Sequence, residues 1–151
     1  LLKTKYNFLI WEDRKFADIG FIMDRQIKNS TYCYEDWVDI FSIHCITGSE
    51  SVDFIINENP KFRWILIGQL SSSENLITDE YTEKCKDIYK HSKNIVGMVC
   101  QSYLGPEYIH IVPGISKNND VDNKGQKYNT IQEKNFADFF VVGRSISNFF
   151  N

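Results

Sequence analysis

The sequence predicts an α/β fold built on a parallel sheet, and two observations support this class. Six short segments rich in Ile, Val, Phe and Trp recur along the 151 residues. Several are apolar nearly throughout, which is the pattern of strands covered on both faces. Helical segments separate the first four of them, and two further strands follow that are separated by a gap too short for a proper helix. The predicted order is therefore β-α-β-α-β-α-β-β-β, with right-handed crossovers.

The strands are placed on the apolar runs, such as Phe8 to Trp11 and Trp64 to Ile67. The six predicted strands are Tyr6 to Glu12, Trp37 to His44, Trp64 to Gln69, Ile95 to Gln101, Tyr108 to Val112 and Phe139 to Gly143.

The helices are predicted at Ala17 to Lys28, Ser51 to Glu58 and Thr78 to His91. The third has the clearest start, because Thr78 is a favourable N-cap and two acidic residues follow it in the first turn. Residues Pro113 to Tyr128 are polar, with two glycines, and predict a long loop. Loops of that length in a compact domain are usually functional or disordered.

Composition limits the classes of function. The chain is 42% apolar and 25% charged, as in a single globular domain over residues 1–151, and its net charge of −3 argues against a nucleic-acid partner. No apolar run approaches the roughly 18 residues of a membrane span. The four cysteines have no metal-site spacing, so we expect buried, reduced thiols in a cytosolic protein and no metal.

Charged residues follow the first apolar run, where an α/β fold places its chemistry. If the strand continues through Lys15, alternation places Asp13 and Lys15 on one face. Asp18 lies just beyond, where it can cap the next helix or reach outward. These residues alone leave two alternatives open, a solvated ion pair or an acid and an ammonium group sharing a site.

The segment Asp13 to Gly20, DRKFADIG, resembles the D-x-K-x-x-D signature of orotidine 5'-monophosphate (OMP) decarboxylases in its eukaryotic form. Further segments match the family in the same order along essentially the whole chain. They are Trp37 to Ile40 with His44 and Gly48, Leu70 to Ser72, Asp79 to Thr82, Pro113-Gly114, Gly125 to Tyr128 and Val141 to Arg144.

The resemblance implies a (β/α)8 TIM barrel, of which this chain carries about six strands, the third to the eighth, with both ends incomplete. It also implies a cytoplasmic carboxy-lyase that converts OMP to uridine 5'-monophosphate (UMP) in pyrimidine biosynthesis without a cofactor. The family works as a homodimer with active sites at the subunit interface.

The resemblance assigns catalytic roles to three residues. Asp13 lies beside the substrate's carboxylate, Lys15 stabilises the C6 carbanion and protonates it, and Asp18 enters the partner subunit's site. For substrate binding, the resemblance implies that Ser71 reads the pyrimidine's amide edge. It also implies that Gln126, Tyr128 and Arg144 bind the phosphate.

The sequence also departs from the family. Ile22 stands where the family has a hydroxyl-bearing Thr near the ribose. The second lysine of the family's charged network, which the family carries on a strand upstream of the signature, is absent from these 151 residues. Two alternatives therefore stay open. One is an impaired or non-catalytic remnant of the family. The other is a Mg2+-dependent relative of the keto-gulonate phosphate decarboxylases, against which the Gly-Gln-x-Tyr segment speaks. His44 and His110 are interpreted as structural.

Overall fold

Six strands form one parallel sheet in the computed structural model, which describes residues 2–116, 125 and 127–147. The strands are β1 (Trp11–Phe16), β2 (Ile40–His44), β3 (Arg63–Ile67), β4 (Ile95–Val99), β5 (His110–Pro113) and β6 (Phe139–Val141). The described helices are α1 (Leu2–Tyr6), α2 (Gly20–Lys28), α3 (Ser49–Glu58), α4 (Asp79–Tyr89) and α5 (Arg144–Ser147), with a 3₁₀ turn at Tyr34–Asp36.

The strands lie side by side in chain order, and every neighbouring pair is parallel. Helices α2, α3 and α4 connect the first four strands, whereas the described residues between β4 and β5 and between β5 and β6 form turns. This sequential parallel order is that of a (β/α)8 barrel wall. The chain thus carries six strands of such a barrel, as the sequence predicted.

Both faces of the sheet are apolar, as expected for parallel strands. Trp64 and Leu66 of β3 pack against the helices, while Ile65 and Ile67 belong to a second cluster on the opposite face. The helix side is formed by Met23 and Ile27 of α2, Val52, Ile55 and Ile56 of α3, and Cys85 and Ile88 of α4. The second face has no helix packed on it in the described part of the chain, so it can line cavities. The site described below lies at the carboxyl ends of the strands on this face.

Helix α2 lies close against α3 because its first residue is glycine. A Cβ atom on Gly20 would lie 2.6 Å from the Phe54 ring and 2.9 Å from the carbonyl oxygen of Ser51, closer than real contacts allow. Any side chain at this position would push the helix that follows β1 away from its neighbour.

The predicted first strand was wrong in its bounds. Residues Leu2–Tyr6 are helical, and β1 runs from Trp11 to Phe16 instead of from Tyr6 to Glu12. A strand needs a paired neighbour, and the ladder to β2 begins where the Ile10 carbonyl accepts the N–H groups of Asp39 and Ile40. Leu9, which precedes this point, is 70% exposed.

The remaining elements differ from the predicted ones only at their ends, apart from the short α5, which was not predicted. Thr78 caps α4 as expected, because its side-chain oxygen accepts the Tyr81 N–H at 3.2 Å. Helix α2 begins at Gly20 and not at Ala17, after a turn in which Asp18 accepts the N–H of Ile19 at 2.8 Å.

The expected burial of the cysteines holds for three of the four. Cys45, Cys85 and Cys100 are buried free thiols, but Cys33 is exposed. It precedes the 3₁₀ turn in a left-handed conformation. Among the described helices, none has the length and apolar character that crossing a membrane would require.

Candidate active site

A cavity of about 320 Å³ opens at the carboxyl ends of the strands, on the face that carries no helices in the described part of the chain. This is where parallel α/β folds place their ligands. It brings together residues from β1, β4, β5 and β6 and from the segments after β3, β5 and β6. The lining residues are Trp11, Asp13, Lys15, Leu70, Ser71, Ser72, Val99, Pro113, Gly114, Ile115, Tyr128, Val141, Gly143 and Arg144.

Asp13 and Lys15 form an ion pair at one side of this cavity. Their side chains are 41% and 39% exposed, so both remain accessible to a ligand. The sequence predicted that the two would share a face if the strand continued through Lys15. The strand does continue, and the two charged groups meet.

The route by which they meet differs from simple alternation. Lys15 has a φ of +53°, in the left-handed region that L-residues rarely adopt, and the register of β1 against β2 breaks between Glu12 and Phe16. This is a β-bulge, and bulges re-aim side chains beside functional sites. Holding lysine in this conformation costs on the order of 1 kcal/mol, which the surrounding structure must offset.

Ser42 of β2 holds the bulge in place and was not predicted as a site residue. Its side chain is fully buried; the hydroxyl donates to Asp13 Oδ1 at 2.7 Å and accepts the Lys15 backbone N–H at 2.9 Å. The sequence carried one signal of this role. Ser42 is a lone serine between the apolar residues Phe41 and Ile43, on the face it shares with Ile40 and His44.

His44 ends β2 beside the charged pair, and its imidazole is half-buried. Burial lowers its pKa below the ordinary value, and the positive charge of Lys15 lowers it further, outweighing the opposite effect of Asp13. The ring is therefore neutral at neutral pH. Its Nδ1 lies 3.5 Å from the hydroxyl of Tyr81, which also accepts the N–H of Cys45 at 2.8 Å. This network links α4 to the end of β2.

Backbone hydrogen bonds join the segment around Ser71 to the described end of the long loop. The Lys127 N–H donates to the Ser71 carbonyl at 3.0 Å, and the Ser73 N–H donates to the Gly125 carbonyl at 3.2 Å. Further along, Asn129 donates to the Gly114 carbonyl at 2.8 Å. The described end of the loop is thus fixed against the segments that follow β3 and β5.

Arg144 and Tyr128 both line the cavity, and Arg144 brings a positive charge to it. Arg144 begins α5 directly after β6, and its guanidinium carbon lies 5.6 Å from the centre of the Tyr128 ring. Cation–π contact of this kind attracts the guanidinium group to the face of the aromatic ring. The predicted partner Gln126 lies outside the described residues.

Asp18 does not line this cavity. It lies with Arg14, Lys15, Phe16, Ala17 and Gln26 around a separate opening of about 260 Å³ on the other side of the β1 end. Of the seven predicted site residues, the structure therefore brings five into one cavity: Asp13, Lys15, Ser71, Tyr128 and Arg144. In the described part of the chain, no three His, Cys, Asp or Glu side chains are grouped so that they could hold a metal ion.

Comparisons with known proteins fit this arrangement. The model of the orotidine 5'-phosphate decarboxylase / HUMPS family matches residues 1–148. The uridine 5'-monophosphate synthase of Bos taurus is 34% identical over 153 residues, covering 96% of this chain and 32% of that protein. The orotidine 5'-phosphate decarboxylase of Pichia kudriavzevii is 33% identical over 159 residues, covering 96% of this chain and 60% of that protein.

Among solved structures, an orotidine 5'-monophosphate decarboxylase from Methanocaldococcus jannaschii, complexed with the inhibitor BMP, has a similar fold. The two structures superpose with a TM-score of 0.71 at 20% identity, over 97% of this chain and 70% of the other. Of the Pichia and Bos relatives, by contrast, the chain spans less than two thirds of the length.

Proposed function

Because the chain belongs to the orotidine 5'-phosphate decarboxylase / HUMPS family, we propose that the protein converts OMP to UMP by a decarboxylation that needs no metal or organic cofactor. This step serves UMP biosynthesis in the cytoplasm. The observation that carries the proposal is the Asp13–Lys15 pair, which lines one cavity together with Ser71, Tyr128 and Arg144.

The chemistry needs a fixed cation at the reacting carbon. When the bond from C6 to the carboxylate breaks, CO2 leaves and the electron pair stays on C6 as a carbanion. The Lys15 ammonium group stabilises this charge electrostatically. It then donates a proton to C6, which gives UMP, and regains one from solvent.

Asp13 has a smaller role in the energetics. Placed beside the substrate's carboxylate, it repels a charge that disappears as CO2 leaves. Two charges about 4 Å apart interact by about 4 kcal/mol at an effective dielectric constant near 20. Demanding enzymatic reactions need a barrier reduction of about 20 kcal/mol. Most of the reduction must therefore come from the preorganised cation and from binding energy at the phosphate and ribose.

Substrate binding is proposed to use two groups of residues, one for the phosphate and one for the pyrimidine. Arg144 supplies planar donors to the phosphate, with Tyr128 and Gln126 beside it on the loop. Ser71 meets the amide edge of the pyrimidine. The backbone hydrogen bonds between the Ser71 segment and the described end of the loop hold Tyr128 in place beside the cavity.

We also propose that a second copy of the chain completes each site. Asp18 points to an opening separate from its own cavity, and apolar side chains around the ends of β1 and β2 are exposed: Ile19 by 56%, Phe21 by 55% and Ile46 by 67%. A symmetric partner would bury this apolar surface and bring its own Asp18 toward the neighbouring Lys15.

The decarboxylation is tested with the full-length protein by following the conversion of OMP to UMP. Lys15→Ala should abolish turnover, whereas Lys90→Ala, at an exposed lysine at the end of α4, should leave it unchanged. Retained turnover in the Lys15 variant would contradict the assigned mechanism. Absence of turnover in the wild-type protein would favour a non-catalytic member of the family.

The shared site is tested by mixing two inactive variants. Lys15→Ala and Asp18→Ala subunits, after exchange, should regain about a quarter of wild-type activity, because half of the dimers are mixed and each mixed dimer has one intact site. Inactive mixtures with proven exchange would place Asp18 in its own subunit's site, and an Asp18→Ala protein that is active on its own would place Asp18 outside the chemistry.

A further inference from the structure

We propose that Ser42 is a positioning residue that fixes the Asp13–Lys15 pair before substrate binds. This inference rests on the proposed decarboxylation and concerns the same site. Ser42 would touch neither the substrate nor the reacting atoms, and would act only through its two neighbours.

The two oxygens of the Asp13 carboxylate have different partners. One oxygen accepts the Ser42 hydroxyl at 2.7 Å, and the other accepts the Lys15 ammonium group. A carboxylate on an exposed strand end would otherwise rotate about its side-chain torsions. Since Ser42 is fully buried in the centre of β2, its hydroxyl is itself held by packing. The carboxylate therefore has one orientation in which it can meet Lys15.

The backbone of Lys15 depends on the same hydroxyl. At a bulge the regular ladder is interrupted, and a backbone N–H without a partner would favour a different local conformation. The Lys15 N–H donates to Ser42 Oγ at 2.9 Å. The same hydroxyl thus supports the left-handed conformation that aims the lysine into the cavity.

Together the two contacts make Ser42 the link between a rigid central strand and the catalytic pair. Preorganised charges stabilise a transition state without rearranging during the reaction. A reacting group displaced by about 1 Å can cost about 100-fold in rate. Loss of the hydroxyl should therefore affect the chemical step more than nucleotide binding, which uses Ser71, Tyr128 and Arg144.

The experiment measures kcat for OMP and the Kd for UMP in the full-length protein. We expect Ser42→Ala to lower kcat by about 100-fold, with the Kd for UMP changed by less than about threefold. Ser92→Ala is the matched control, because Ser92 also accepts a backbone N–H, from Asn94 at 3.2 Å, before β4 and away from the cavity. Its kcat should equal that of the wild type.

A second pair of variants separates the hydroxyl from side-chain volume. Ser42→Thr and Ser42→Val have nearly the same shape, but only threonine keeps the hydroxyl. We expect the threonine variant to exceed the valine variant in kcat by at least about tenfold at equal folded fraction.

Three results would overturn the positioning role. They are a kcat of Ser42→Ala close to that of the wild type, equal losses in kcat and in UMP affinity, and equal activity of the threonine and valine variants. An inactive wild-type protein would instead contradict the proposed function itself. The two failures are therefore distinguishable.

Discussion

Replacing Lys15 with glycine should uncouple stability from activity. Lys15 lies at a φ of +53° in the bulge of β1. A residue with a Cβ atom in this region is destabilised by roughly 1–2 kcal/mol, whereas glycine has no such cost. Glycine loses about 0.4–1 kcal/mol of this advantage, because it makes the unfolded chain more flexible.

The informative comparison is between Lys15→Gly and Lys15→Ala. Both variants lose the ammonium group and its exposed ion pair, so both should be inactive. They differ only in the backbone contribution, and the glycine variant should be more stable by about 0.5–1 kcal/mol. In the full-length protein this corresponds to a rise of about 2 °C in Tm.

The assay is equilibrium unfolding in denaturant, with the two variants compared at equal m-values. The same pair of substitutions at Lys84, exposed in the middle of α4, is the control and should have the opposite sign. There glycine should be less stable than alanine by about 1 kcal/mol. If Lys15→Gly were also the less stable variant, the left-handed conformation at the bulge would be wrong, and with it our account of how the pair is aimed.

Three further changes test other parts of the structure. Arg144→Ala should weaken UMP binding by about 10- to 100-fold, since a charged hydrogen bond contributes about 1.5–3 kcal/mol; calorimetric titration measures this, with Arg63→Ala at the opposite end of the sheet unchanged. The backbone N–H of His110 lowers the pKa of the Asp138 carboxyl, partly against burial, and the His110 ring lowers it further. The stabilisation that the ionised Asp138 carboxyl gains from His110 should therefore be present above about pH 4 and be lost as the pH falls through the lowered pKa. Asp138→Asn should flatten that part of the stability profile, and an unchanged acid profile would contradict the contact. Finally, Thr78→Ala should cost about 1 kcal/mol in the free energy of unfolding, because the α4 cap is lost. Thr78→Ser should keep most of the stabilisation that the cap provides.

Much of the fold could be predicted from the sequence, because apolar runs and their spacing carry the sheet. The core of β3, Trp64 to Ile67, is apolar at four successive positions and faces packed residues on both sides. The bounds of β1 could not be predicted. The apolar run Phe8 to Trp11 overlaps its start, but the strand begins only where β2 offers a partner, and it continues through charged residues that no apolar pattern marks.

The site could be predicted in its residues but not in its geometry. Asp13 and Lys15 were found from their position after an apolar run. The left-handed turn at Lys15 was not, because lysine has no local preference for that conformation. Ser42 was missed because its role depends on pairing with a strand that lies about thirty residues earlier in the chain. His44 was interpreted as structural, and its proximity to the charged pair became visible only in the folded chain.

The most direct test of the account is whether the full-length wild-type protein forms UMP from OMP in the presence of a metal chelator. Product formation is measured by chromatography at several chelator concentrations. We expect stoichiometric UMP and CO2, at a rate that the chelator does not change, because Lys15 provides the positive charge at C6. No UMP, or UMP that disappears when metal is removed, would contradict it.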